Sequence, residues 1–448
     1  AGADIAELLD DAEAVLQSLA TPGEQNPALV IGAVLGAAHA AGKEKVVIGT
    51  GSSTVTGFAA WAEQLIAEST GKNGRGLLPV DVGGTSSDTP GWLTTSDATY
   101  VSIGAPESGT ADIVVDGPLG TLFQVWETAI AVAGRVIDIN PFDQPNVEAA
   151  KKQARALLDD PGSGDGLPHA FTEGPVEVYG TPEVLGGRRT LEGLVGSLRS
   201  LAPANGYLSL QAYLDRDADA DVEQLRPLVA ASSGLQTTFG WGPRFLHSTG
   251  QYHKGGHGNG AFVQITGAVP EDLPIPGRPF TFGQLQRAQA AGDAVVLAET
   301  GRPVVRLHLT DRSAGVAALA AAVLVPLAVS AYYLQQSKTA VTPEKALVFV
   351  NRAERFNPLD SQIPDEKARI ALELGRWKTV VEAYKREIRL NPENYAPYMY
   401  LGDYYARRGD DTSARTYYRE ALHRNPLDVE LERKASSMVR DKTDHSAG

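Results

Sequence analysis

Leu119-Gly-Thr-Leu-Phe-Gln-Val-Trp-Glu-Thr-Ala-Ile-Ala-Val-Ala-Gly-Arg135, followed shortly by Asn140-Pro-Phe-Asp-Gln-Pro-Asn-Val-Glu-Ala-Ala-Lys151-Lys152, reads as helix, turn, helix. Phe123, Trp126, Ile130 and Val136 recur at helical spacing, which predicts an amphipathic helix over 119–137. Pro141 and Pro145 break the pattern, and a second helix is predicted to start near Pro145, because proline suits a first helical turn. Gln144 stands just before that turn, and Lys151 lies about two turns into the helix. An amide and an ammonium near a helix N-terminus form a candidate site for an anionic substrate. A solvated lysine pair on a surface helix is the plainer alternative for Lys151 and Lys152.

Outward from this run, strands and helices alternate. Lys45–Ile48, Gly76–Val80, Tyr100–Ile103 and Ile113–Val115 are short apolar strands, and Phe58–Thr70 is a helix with Trp61, Leu65 and Ile66 on one face. Gly49-Thr-Gly-Ser-Ser53 reads as a turn, and 5–40 as two Ala/Leu-rich helices around Pro22-Gly23. Such alternation predicts a parallel sheet between layers of helices. A Gly/Pro/Asp linker over 158–168 leads to a second α/β module. That module has strands at Tyr207–Leu214, Phe262–Ile265, Ala294–Ala298 and Val304–Leu309, and helices at Val222–Ala231 and Phe282–Ala291. The predicted division is 1–160, 161–312, an apolar helix over 313–336, and an all-α tail over 337–442.

The 448 residues exceed one ordinary core. A formal net charge of −14 argues against a nucleic-acid partner. The chain has no cysteine, which excludes thiol nucleophiles, disulfides and thiolate metal sites. The start Ala1-Gly-Ala-Asp4 lacks a methionine and reads as a fragment or a processed terminus. Residues 314–334 carry no charge and reach the span of a bilayer core, which takes about 20 residues, so they are a candidate membrane anchor; a buried Ala-rich helix is the alternative. Asn-Pro recurs at 357–358, 391–392 and 425–426, a spacing of 34. That is the tetratricopeptide period. Tyr398, Leu401, Gly402 and Tyr405, then Ala414, Tyr418 and Ala421, fit its two-helix pattern. The tail's tyrosines could line a groove for a peptide partner, although such residues usually pack helix on helix.

The run from Leu119 to Lys152 resembles the C-terminal signature of glucose-6-phosphate isomerases. Residues 1–322, including Trp61-Ala-Glu-Gln-Leu-Ile-Ala-Glu-Ser-Thr-Gly-Lys72, resemble the isomerase half of transaldolase–glucose-6-phosphate isomerase fusions. The resemblance implies a sugar-isomerase-type three-layer α/β/α sheet domain and interconversion of glucose 6-phosphate and fructose 6-phosphate in glycolysis and gluconeogenesis. It implies no cofactor and a cytoplasmic setting. By it, Lys151 contacts the substrate and assists ring opening, and Gln144 binds the phosphate. The family's phosphate cradle and its Gly-Gly-Arg segment find no proper match here. The expectation is therefore a protein lacking its N-terminal half and inactive alone, with a tetratricopeptide interaction module as the rival reading.

Arg244-Phe-Leu-His247-Ser-Thr-Gly-Gln251-Tyr-His253-Lys254-Gly-Gly-His257 is the second motif. Its three histidines fall in what reads as a Gly-rich loop, unlike a supported tetrahedral zinc site, so no metal is expected. The run resembles the His-Ser-x-Gly-Gln-Tyr stretch of short bacterial isomerases, which leads there to a catalytic glutamate; His253-Lys254-Gly255-Gly256 follows here instead. By that resemblance His247 is a catalytic candidate, and Gln251 and Lys254 are substrate-binding candidates.

Overall fold

The computed structural model describes residues 4–85, 89, 92–107, 111–159 and 166–437. The chain forms two compact units, Ala1–Val323 and Leu324–Gly448.

The first unit opens with α1 (Ile5–Leu19) and α2 (Pro27–Ala40). Asn26 starts α2 by accepting from the amides of Ala28 and Leu29, and Pro27 takes the first turn. There follow β1 (Lys45–Thr50), α3 (Phe58–Thr70), β2 (Leu78–Gly83), β3 (Ala98–Ile103), β4 (Ile113–Val115) and α4 (Leu119–Ile137). The strands form a parallel sheet in the order β2-β1-β3-β4. Alternation along β1 sends Val46 and Ile48 to one face, among Leu35, Ile66 and Trp126, and Val47 to the other, among Tyr252 and Phe262. Gly32 and Gly36 let α2 lie against α4: a Cβ at Gly32 would stand 2.5 Å from the Ala129 carbonyl oxygen.

Next come α5 (Glu148–Asp159), β5 (His169–Glu173), β6 (Val176–Tyr179), the short helices α6 (Pro182–Leu185) and α7 (Leu191–Val195), β7 (Tyr207–Tyr213), α8 (Leu225–Ser233), β8 (Thr237–Trp241), α9 (Ser248–Gly255), β9 (Gly260–Gly267), α10 (Phe282–Glu299) and β10 (Val304–Leu309). The second sheet runs β5-β6-β10-β9-β7-β8. Strands β10, β9, β7 and β8 are parallel, and the β5–β6 hairpin adds antiparallel strands at one edge. Helix α5 packs on α10, with Ala150 and Ala154 buried beside Ala290.

Several local expectations are corrected. Ala294–Ala298 is not a strand; it continues α10, which starts at a Thr281–Gln284 capping box. Its buried Ala288, Ala291, Ala294 and Leu297 keep a helical spacing, and a five-residue apolar run cannot by itself separate strand from helix. The predicted loop at 248–255 is helix α9, and 220–224 forms a 3₁₀ turn ahead of α8.

Among its described residues, the second unit has helices as its only regular structure. Helix α11 (Arg312–Lys338) begins in the first unit, and its last turns lead into α12 (Pro343–Phe356), α13 (Gln362–Glu373), α14 (Trp377–Leu390), α15 (Ala396–Arg407), α16 (Asp411–Arg424) and α17 (Val429–Ser437). Leu334 packs with Leu347, Val350 and Ile363, and the Ser330 hydroxyl donates to the Ala353 carbonyl at 2.9 Å. The three Asn-Pro sites fall at the ends of α12, α14 and α16. Asn357, Asn391 and Asn425 share one extended conformation, φ −138°, −140° and −132° with ψ 82°, 79° and 74°. A residue before proline is pushed out of the helical region, so each Asn-Pro stops its helix in the same way.

Helix α11 is long and apolar enough to cross a membrane, with mean hydropathy 2.2.

Candidate functional site

The turn between α4 and α5 is held from below. Asp138 ends α4 in the left-handed region, φ 65°. Buried Lys72 donates to the Asn140 carbonyl at 2.6 Å and pairs with Asp143 at 3.0 Å. Gln251 then fixes the start of α5: its Oε1 accepts from the Asn146 amide at 3.0 Å, and its Nε2 donates to Asn146 Oδ1 at 2.9 Å and to the Gly71 carbonyl at 2.8 Å. Gly71 must be glycine-sized, because a Cβ there would sit 2.3 Å from Tyr252 Cα.

On this platform α5 presents Lys151, whose ammonium pairs with Glu148 at 2.8 Å. The hydrogen bond from Lys151 holds the Glu148 carboxyl below the usual carboxylate range, and nearby His247 acts in the same direction. Lys151, Glu148 and His247 therefore gather on one surface. Gln144 is exposed on the preceding turn, with no hydrogen bond from its side chain among the described residues.

The remaining motif residues point inward. Lys254, expected at the sugar phosphate, is buried: its ammonium pairs with Asp293 at 2.5 Å and donates to the Phe245 carbonyl at 2.7 Å. Burial pushes the Asp293 carboxyl up, against the pull of Lys254. The three histidines diverge. His247 is exposed, His253 is buried against Phe245 and Phe262, and His257 faces Glu44 at 2.9 Å. Burial lowers the His253 pKa well below its ordinary value.

A cavity of about 760 Å³, unforeseen from the sequence, opens beside this surface. It lies at the carboxyl ends of β2 and β8, the edge strands of the two sheets, where open α/β folds commonly bind ligands. Trp61, Glu63 and Gln64 of α3, Asp81, Arg226, Trp241 and Arg244 line it. Arg244 Nη2 pairs with Glu63 at 2.9 Å and donates to the Ala60 carbonyl at 3.0 Å. Burial pushes the Glu63 carboxyl up to about 7; Arg244 opposes this and Asp81 adds to it. Burial also raises Asp81. Ser248, next to His247, donates to Gln64 Oε1 at 3.0 Å, so the cavity adjoins the Lys151 surface. These groups are spread from Ala60 to Arg244 in sequence, and no local spacing links them.

No protein-family model matches the chain. Glucose-6-phosphate isomerases of Symbiobacterium thermophilum and Bacillus cytotoxicus are each 26% identical over 214 residues, covering 36% of this chain and 48% of theirs. The isomerase of Exiguobacterium sibiricum is 54% identical over 44 residues, 10% of either chain. The chain thus spans about half the length of the curated relatives it first matches. Among solved structures, the tetratricopeptide domain of Arabidopsis OM64 aligns over 25% of this chain and 96% of its own, with 16% identity and a TM-score of 0.23. A hypothetical protein of Thermus thermophilus aligns over 71% of this chain and 87% of its own, with 12% identity and a TM-score of 0.27. These structural likenesses carry no argument for fold or function.

Proposed function

We propose that the first unit is a glucose-6-phosphate-isomerase-like domain that holds a hexose phosphate at the Lys151–Glu148–His247 surface. The observation that carries the reading is the partial similarity to glucose-6-phosphate isomerases, joined to a Lys151 displayed on a rigid platform beside His247. In this reading Lys151 meets the sugar and assists ring opening, Gln144 takes the phosphate, and His247 moves a proton at the sugar oxygen. Gln251 and Lys254 are positioning residues. The first acts through Asn146, the second through Asp293 and Phe245. The kinship with transaldolase fusions belongs to the same reading, as does a cytoplasmic setting.

Aldose–ketose isomerisation also needs a base whose pKa lies near the working pH. Glu148 is exposed and held below the ordinary carboxylate range, so it is a weak base. The expected behaviour is binding with turnover near background. Titration with fructose 6-phosphate should show saturable binding that Lys151→Ala weakens about tenfold, while a coupled assay for glucose 6-phosphate stays near the blank. Absence of binding sinks the isomerase-like site. Brisk turnover sinks the argument that Glu148 is too weak a base to serve the Lys151 surface.

A second reading concerns the second unit, taken as a tetratricopeptide-like array that binds a peptide. It is favoured by exposed rings along successive helices. Trp377 and Tyr400 are 44% and 42% exposed, and Arg408 lies 5.2 Å over the Tyr404 ring. We take α11 as a connector rather than a membrane span, since Ser330, Leu334 and Ser337 are packed into the array. Recovery of the chain in the membrane fraction after carbonate washing would overturn this.

A further inference from the structure

The cavity at the ends of β2 and β8 has a use that the isomerase reading does not assign, and the argument for it does not rest on that reading. We propose that it binds an unphosphorylated hexose. Its size, about 760 Å³, falls within the roughly 300–1,000 Å³ of small-molecule sites. Its walls combine indole rings with planar charged groups. Trp61 and Trp241 are among the residues that line it, and indole rings are the groups that cover the C–H face of a sugar ring. Trp241 is fixed by its Nε1, which donates to Glu223 Oε1 at 2.7 Å.

The charge pattern selects against a phosphate. Guanidiniums of Arg216, Arg226 and Arg244 are matched by carboxylates of Glu63, Asp81 and Glu223 along the same wall. Arg244 is already paired with Glu63, and Asp81 lies within electrostatic reach of Arg226. A phosphate dianion would have to break these pairs and face their carboxylates. A neutral polyol meets both halves, because each planar fork offers two parallel donors or acceptors to adjacent hydroxyls. Hydrogen-bonding capacity is left over for it. Among the described residues, the Arg244 guanidinium engages only through Nη2, and the exposed Gln64 side chain is engaged only through its oxygen.

The test is titration of the full chain with glucose and with fructose, followed by calorimetry and tryptophan emission, and repeated with glucose 6-phosphate and inorganic phosphate. The expected result is saturation by a free hexose with a Kd on the order of 1 mM, undisturbed by inorganic phosphate. Asp81→Asn and the rim variant Gln64→Ala, each checked for an unchanged melting curve, should weaken binding about tenfold. The proposal is overturned if neither hexose saturates, or if both folded variants bind as the parent does. It is equally overturned if, in a Lys151→Ala background, glucose 6-phosphate still binds about tenfold tighter than glucose and inorganic phosphate displaces it. The Lys151→Ala background separates the cavity from the phosphate site proposed at Lys151, which is tested by fructose 6-phosphate.

Discussion

Replacing Glu44 by glutamine should loosen the joint between the two sheets of the first unit. Glu44 precedes β1 and is buried. Its Oε1 accepts from Lys45 at 3.2 Å and from Asn259, and its Oε2 lies 2.9 Å from His257 Nδ1. Lys45, itself 1% exposed, also pairs with Asp97 at 2.5 Å and donates to the Asn205 carbonyl at 2.8 Å. Asn205 and Asn259 lead into β7 and β9, so the Glu44–Lys45 pair ties the start of the first sheet to the starts of two strands of the second. Burial alone would raise the Glu44 pKa, but the hydrogen bond from His257 and the charge of Lys45 bring it from 4.5 to about 2. At 1.36 kcal/mol per unit this amounts to about 3 kcal/mol of native-state stability at neutral pH. Because the native value is depressed, the contribution is present above about pH 4.5 and is lost as pH falls through about 2. About 2 kcal/mol should remain at pH 3.5. Urea unfolding of the parent and Glu44→Gln, followed by tryptophan fluorescence at pH 7 and pH 3.5, measures both differences. A variant within about 0.5 kcal/mol of the parent at pH 7, or a difference that does not shrink on acidification, would refute the reasoning.

Glu63 should behave with the opposite sign. Its native pKa is raised to about 7, so its contribution is full below about 4.5 and is lost as pH rises through 7. Glu63→Gln should remove up to about 3 kcal/mol of that pH dependence, read from melting curves between pH 5 and 8. Gln251→Ala, which strips partners from the Asn146 amide and the Gly71 carbonyl, should cost roughly 2–3 kcal/mol, whereas Lys151→Ala should stay within about 0.5. Both are read by denaturant midpoints. Leu401→Ala, at a fully buried position between α14 and α15, should cost roughly 2–5 kcal/mol in the second unit, seen as loss of helical signal.

The helices that the sequence showed best are those with one buried face. Phe58–Thr70 and Leu119–Ile137 fall where the 3.6-residue pattern puts them. Lys45–Thr50 and Val304–Leu309 were legible because short apolar runs lie between turns. The β5–β6 hairpin was not, since His169-Ala-Phe-Thr-Glu173 lies at a sheet edge and alternates weakly. Helix α9 was hidden for another reason. It is buried on every side, so it has no apolar stripe, and its glycines exist for close contact: a Cβ on Gly250 would fall 1.7 Å from the Phe245 carbonyl oxygen. The cavity was invisible because Glu63, Asp81, Arg226 and Arg244 meet only where β2, the edge of one sheet, approaches β8, the edge of the other.

Helix α9 also shows that the residue types of a catalytic motif can serve the packing of a buried helix. Histidine, glutamine and lysine in one short run invite a catalytic reading, since these are the residues of acid–base and anion chemistry. A buried helix needs the same residue types for a different purpose, because polar groups taken out of water must find partners. Gln251 completes the backbone of the turn before α5, and Lys254 neutralises Asp293 beneath it. Only His247, at the helix's outer end, is left facing solvent. Gln251 and Lys254 of the second motif thus form the floor on which Lys151 stands. A change in that floor should alter the site by shifting α5, and a change in Lys151 should alter it without disturbing the fold.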